Sequence, residues 1–155
     1  MTAIAYRVVK NKHSAAAFDG DGARRYGGRW NSPGVAMVYA SATLPLAVLE
    51  ILVHLQTESV LPAYVAFRVE IPDGLVEAID RSTLPAGWRD FPAPAELRAA
   101  GDAWVRGAGS VVLRVPSVVL ASEENYLINP LHPDFGLLAI ADPEPLDVDS
   151  RLFRR

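Results

Sequence analysis

Val35-Ala-Met-Val-Tyr-Ala-Ser-Ala-Thr-Leu-Pro-Leu-Ala-Val-Leu-Glu-Ile-Leu-Val-His-Leu55 sets a strand pattern directly before a helix pattern. Val35–Ala40 is an apolar run that reads as a short, largely buried strand. Thr43 is a suitable helix N-cap, and Pro45 falls in the first turn, where a missing N–H does no harm. Leu44, Val48, Ile51, Leu52 and Leu55 follow i, i+4, i+7, i+8, i+11 spacing, which predicts a core-facing helix over about residues 43–56. Leu46, Leu49 and Val53 fill other faces, so this helix is expected to be buried nearly all round. Glu50 is its only charge. Burying a carboxylate is costly unless it is paired or hydrogen-bonded, so Glu50 must reach a cleft or a partner.

Working outward, Ala3–Val9 has strand-like residues, and a long loop rich in Gly, Asp and Arg runs from about Asn11 to Gly34. A loop of that length inside a compact domain points to function. Tyr64–Ile71 alternates apolar and polar residues as a half-buried strand does. Residues 72–94 carry four prolines and read as an irregular excursion. Ala95–Val105 is expected to form a helix that turns Leu97 and Trp104 inward. Ser110–Val115 reads as a strand stopped by Pro116-Ser117, with Val118–Leu120 resuming it. Glu124–Pro133 is extended and turn-rich, and Gly136–Ile140 reads as a last strand. Short strands with two helical segments predict a mixed α+β fold in one domain over residues 1–155, not a regular βαβ array.

Composition narrows the function. The 155 residues are 50% hydrophobic and include no cysteine, which excludes a disulfide framework, a thiolate metal site and a cysteine nucleophile. The net charge of −3 disfavours a general nucleic-acid binder. Neither a signal peptide nor an apolar run long enough to span a bilayer is present, so a soluble, cytoplasmic chain is expected. The net value hides an asymmetry. Residues 1–31 carry six cations (Arg7, Lys10, Lys12, Arg24, Arg25, Arg29) against two anions, a local +4, and the remainder carries −7. Such a cluster suits a small anion, although each charge taken singly also reads as a solvated surface group.

Several chemistries fail on spacing. Gly20-Asp-Gly22-Ala-Arg-Arg25 lacks the third glycine of a dinucleotide fingerprint, no helix is expected after it, and a Walker A motif is absent. Gly107-Ala-Gly-Ser110 is not a nucleophile elbow. His13, His54 and His132 lack metal-ligand spacing, and no second acid stands out as a glycosidase partner for Glu50.

What remains is Tyr26-Gly-Gly-Arg-Trp-Asn-Ser-Pro33, followed by Tyr39 and Glu50. Its glycines allow close backbone approach, Arg29 can clasp a phosphate or carboxylate, and Trp30 offers a stacking face. The plain structural alternatives are a tight turn with Trp30 plugging the core and a core tyrosine at Tyr39. Taken together, Arg29 for an anion, Tyr39 for a flat ring and Glu50 for developing positive charge suit a dinucleotide with a cationic pyridinium ring.

These residues carry a resemblance to a known family. Tyr6-Arg7, Arg25-Tyr-Gly-Gly-Arg-Trp-Asn-Ser-Pro-Gly34, Val38-Tyr-Ala-Ser41 and Leu46–His54 appear in order. Leu113-Arg-Val-Pro-Ser117 and Asn125–Phe135 follow. Over about residues 6–135 the chain resembles the RES-domain toxins of bacterial toxin–antitoxin pairs, whose defining arginine, glutamate and serine fall on Arg29, Glu50 and Ser117. The resemblance implies an ADP-ribosyltransferase-like fold and an enzyme that consumes NAD as substrate, with no cofactor and no metal. Family members are NAD glycohydrolases or phosphorylases, and some are protein ADP-ribosyltransferases. It also implies a toxin–antitoxin hetero-oligomer with an Xre-like helix-turn-helix antitoxin, the partner that handles nucleic acid. A non-catalytic partner-binding module is the alternative of a different class. On this reading Arg29, Tyr39, Glu50 and Ser117 are catalytic. Arg7, Tyr26, Gly28, Trp30, Asn31, Asn125 and Asn129 are further candidates to line the substrate site. Ser117 alternatively reads as a plain strand-end turn serine.

Overall fold

The computed structural model describes residues 2–55 and 63–153. Among the described residues eight strands form one sheet: β1 (Ala3–Lys10), β2 (Val38–Ser41), β3 (Tyr64–Ile71), β4 (Val76–Ala78), β5 (Val112–Pro116), β6 (Glu124–Ile128), β7 (Ala139–Ile140) and β8 (Glu144–Pro145). The order is β4-β5-β6-β2-β1-β3-β7, with β8 also on β3. Among the described residues only β4 and β5 pair in parallel. Three α-helices accompany the sheet: α1 (Asp21–Tyr26), α2 (Leu44–Leu52) and α3 (Ala95–Gly107). The mixed α+β fold expected from the sequence is the one observed.

Side-chain alternation along the central strands sets up two main core clusters, and a smaller third one gathers Ala17, Val65 and Phe67. Val38, Ala40, Val112, Tyr126 and Ile128 join Ala5, Val69 and Ile71 in one cluster. Met37, Leu113, Val115 and Leu127 form the other with Trp30 and Leu97 of α3. α3 lies so close to the loop before β2 that a Cβ on Gly101 would sit 1.7 Å from the Trp30 carbonyl oxygen. Leu97 points inward as expected, and Trp104 is partly buried, with its Nε1 donating to Ser110 Oγ at 2.9 Å.

β1 pairs with β3 along its whole length, from Ala3 opposite Ile71 to Lys10 opposite Tyr64. With β2 it shares a single pair, Tyr6 opposite Ser41. The two central strands therefore part beyond that point. Arg7 spans the gap, with Nη1 donating to the Tyr39 carbonyl at 2.8 Å.

Several local expectations are corrected. The stretch from Asn11 to Gly34 is not one open loop: Asn11–Ala16 forms a 3₁₀ helix, and α1 does follow Gly20. Asp21 stabilises that short helix from its first turn, ion-paired with Arg24 and, at 2.7 Å, with Arg25. Gly20 and Gly27, with φ of 70° and 73°, bound it at either end. Val118–Leu120 does not resume the strand, because Ser117 Oγ accepts the Val119 and Leu120 amides and curls the chain into a turn. The strand expected over Gly136–Ile140 is reduced to β7, because Pro133–Leu137 winds into a 3₁₀ turn capped by His132, and it is not the last, since β8 follows it. The excursion over 72–94 includes the edge strand β4.

α2 is also less enclosed than its composition suggests. Leu46, Ala47 and Val48 are buried, whereas Leu49, Ile51 and Leu52 are only partly covered and Val53 is 54% exposed. Of the expected stripe, Val48 alone is buried. The helix is apolar on faces that are only partly covered among the described residues. It ends at Leu52, and the last residue of the expected span, Gln56, lies outside the described residues. Thr43 caps it as expected, its Oγ1 accepting the Leu46 amide at 3.2 Å. Replacing Thr43 with Ala should lower stability by about 1 kcal/mol in denaturant unfolding.

Candidate functional site

A cleft of about 940 Å³ opens where β1 and β2 part, bounded by α1 and α2. Arg7 and Lys10 of β1, Tyr39 and Ser41 of β2, Glu50 of α2 and Asn125 of β6 all line it. Glu50 sits at the Asn125 side of the sheet with its carboxylate fixed by one oxygen. Oε1 accepts from Ser117 Oγ at 2.7 Å and from Asn125 Nδ2 at 2.7 Å. Among the described residues no hydrogen bond is formed to Oε2. Ser41 Oγ donates to Asn125 Oδ1 at 2.8 Å and so fixes which end of that amide faces Glu50. One carboxylate oxygen is therefore anchored by two donors.

The cationic side of the cleft is built around Arg7. Besides the Tyr39 carbonyl, it donates from Nε to the Ala17 carbonyl at 2.6 Å. Burial draws its pKa down to about 10, partly opposed by the Asp19 charge, so it stays protonated at neutral pH.

Arg29 stands beside this cleft and is not part of its wall. Its Nη1 donates to the carbonyls of Trp88 at 3.1 Å and Asp90 at 2.9 Å. Partial burial lowers its pKa, and the charge of Glu50 acts in the opposite sense. Ser117 is fully buried behind Glu50 and holds it from the far side of the cleft.

Residues 4–149 match the RES domain family. This chain belongs to that family. Among curated proteins, the RES domain described here is 38% identical to "Toxin Res" of Yersinia enterocolitica over 95% of this chain and 97% of that protein. It is 37% identical to the "Prs ADP-ribosylating toxin" of a Sphingobium strain over 100% of this chain and 99% of that one. Among solved structures it resembles, at a TM-score of 0.74 and 20% identity, a chain of the M. tuberculosis MbcT-MbcA toxin-antitoxin complex. The likeness covers 94% of this chain and 85% of the other, and it concerns the fold.

Within the RES domain, the residues singled out by sequence fall into two groups. Arg7, Tyr39, Glu50 and Asn125 meet at the cleft, Tyr26 stands at its edge 82% exposed, and Ser117 and Arg29 adjoin it. Gly28, Trp30, Asn31 and Asn129 do not line it. Trp30 is 3% exposed and packs in the core beneath α3, so its ring offers no stacking face. Asn31 is fully buried, and its Nδ2 donates to the carbonyls of Ala23, Ser32 and Val35, tying the loop together. Asn129 Oδ1 accepts the Leu131 amide in a turn after β6. Gly28 is needed for close approach: a Cβ there would lie 2.6 Å from the Tyr39 hydroxyl. That hydroxyl donates to Asn31 Oδ1 at 2.6 Å and accepts the Trp30 amide at 3.1 Å, and burial raises its pKa.

Tyr39→Phe would leave the Trp30 amide and Asn31 Oδ1 without this partner. Stability measured by thermal unfolding should fall by about 1–3 kcal/mol while the ring stays in the cleft. Sequence reading missed Ser41, whose role depends on a partner 84 residues away. It also gave no role to His13 and His54, which both line the cleft. Among the described residues no group of three or more His, Asp or Glu could hold a metal ion, and no helix is long and apolar enough to cross a membrane.

Proposed function

We propose that this protein is the toxin of a toxin–antitoxin pair and that it consumes NAD by breaking the nicotinamide–ribose bond in the cleft beside Glu50. The observation that carries the reading is the single carboxylate, held through Oε1 by Ser117 and Asn125. The chemistry asks for one acid. When the C–N bond breaks, its electron pair stays on the ring nitrogen, and the pyridinium leaves as neutral nicotinamide with no proton required. The ribose carbon gains oxocarbenium character, which a fixed carboxylate stabilises in a partly desolvated site. Water or phosphate then forms the new C–O bond, and an oxygen-bound proton is lost when water is the acceptor.

Arg7, with Lys10 and Arg25 on the same cleft, supplies positive charge for the pyrophosphate, and Arg29 acts on Glu50 through its field. The Tyr39 ring is the stacking surface for nicotinamide. The relatives named "Toxin Res" and the fold of a toxin–antitoxin complex support the toxin assignment. The partner we expect is an Xre-like antitoxin, and the expected place of action is the cytoplasm. NAD is substrate here, with no cofactor and no metal in the proposed reaction.

A second reading, transfer of ADP-ribose to a protein, is favoured by the relative named as an ADP-ribosylating toxin. Product analysis separates the two. Purified protein with NAD should yield free ADP-ribose, or its 1-phosphate ester when phosphate is supplied. Labelled ADP-ribose appearing on lysate proteins, with neither free product, would favour transfer.

A further inference from the structure

The excursion between β4 and α3 touches the site from outside through three consecutive residues, Trp88-Arg89-Asp90. The carbonyls of Trp88 and Asp90 both accept from Arg29 Nη1. The side chain between them goes the other way. Arg89 donates to the Val118 carbonyl from Nε at 3.1 Å and from Nη2 at 2.8 Å. Val118 follows Ser117, and its turn is closed by the Val119 and Leu120 amides donating to Ser117 Oγ at 3.1 and 3.2 Å. The same Oγ donates to Glu50 Oε1. A second arginine of the excursion fastens the far end of this turn. Arg81 donates to the Ala121 carbonyl at 2.9 Å and pairs with Glu124 at 3.1 Å.

We propose that Trp88-Arg89-Asp90 is a strap that sets both halves of the site, and that Arg89 is a positioning residue acting on Glu50 through the Ser117 turn. The strap's backbone orients Arg29, and the Arg89 side chain clamps the turn that presents Ser117 Oγ. Because Ser117 Oγ both closes the turn and holds Glu50, loosening Val118 frees the carboxylate to move. The Arg89 guanidinium itself is solvent-exposed and does not line the cleft. The kinetic part of this inference rests on the NAD-cleaving reading; the structural part does not.

The test uses the full chain and the variants Arg89→Ala and Arg89→Lys. In Arg89→Ala, hydrogen exchange of the Val119 and Leu120 amides should accelerate at least about tenfold, the low end for losing the two charge-assisted hydrogen bonds from Nε and Nη2 to the Val118 carbonyl. The global unfolding midpoint should fall by only about 3–6 °C, because the lost contact is removed from the native state alone and lowers local and global opening energies by the same amount. In nicotinamide release, kcat should fall about tenfold with KM within about twofold, the pattern of a group acting on turnover and not on substrate binding. Arg89→Lys, which keeps one donor to Val118, should recover most of both effects. Unchanged exchange at Val119 and Leu120 in Arg89→Ala would overturn the clamp, and a rise in KM at constant kcat would overturn its action through Glu50. If wild-type protein released no nicotinamide, the NAD reading would fail, and the exchange rates would still decide whether Arg89 holds the turn.

Discussion

Glu50→Gln should keep the fold and lose turnover by at least about 10²-fold, the scale set by removing one preorganised electrostatic group from an active site. The reason lies in how Glu50 is held. Both of its donors, Ser117 Oγ and Asn125 Nδ2, bind the same oxygen, Oε1. A glutamine carbonyl in that place accepts the same two hydrogen bonds, so the network and the pose of α2 persist. What is lost is the negative charge at the ligand-facing position, where the amide presents a donor to a developing cation. NAD affinity, measured by titration calorimetry, should change little beside the loss in kcat. A variant with full turnover would remove the electrostatic role.

Gly101→Ala should cause the largest loss of stability away from the cleft. Its Cβ would lie 1.7 Å from the Trp30 carbonyl oxygen and 2.8 Å from the carbonyl carbon, and both are backbone atoms that no rotamer change can move aside. α3 must retreat from the loop, which also strains the contact between Asp102 Oδ1 and the Ser32 amide, 2.9 Å in the native chain. The expected cost is about 3 kcal/mol, or roughly 6–12 °C in Tm for a chain of this size. Because Trp30 and Asn31 sit directly beyond Arg29, NAD turnover should fall with stability. A Tm within about 2 °C of wild type would show that the helix yields without cost.

Local signals predicted local structure. The alternation of Tyr64–Ile71 is β3 to the residue, the cap at Thr43 is made as its position requires, and the helix expected over Ala95–Val105 runs two residues further. The composition of α2 was misleading in one respect. An all-round apolar helix reads as buried, but burial is decided by which elements pack against it, and pairing across the sheet is not encoded within nine residues. α1 was hidden for the opposite reason: it is short, flanked by glycines, and held by ion pairs from Asp21 and not by an apolar stripe.

The site divides the same way. Glu50 stood out because a charge on an apolar helix needs an explanation. Arg29 stood out through its glycines, yet its carbonyl partners lie 59 and 61 residues along the chain, so its anchoring to the excursion was illegible. Trp30 and Asn31 belong to the same conspicuous motif but serve to build it, one in the core and one as a buried staple. Motif membership marked the place; only the three-dimensional partners separated residues that face the cleft from residues that hold it up. The +4 charge of residues 1–31 shows the same division, with Arg7, Lys10 and Arg25 on the cleft and Arg24 off it, while Asp21 pairs with both Arg24 and Arg25.

The most direct measurement is nicotinamide release from NAD by the purified protein with no protein acceptor added, followed beside Glu50→Gln. Cleavage of NAD beside Glu50 predicts many nicotinamides released per wild-type chain and almost none from the variant at equal NAD occupancy. Wild-type release that does not exceed that of Glu50→Gln would contradict it.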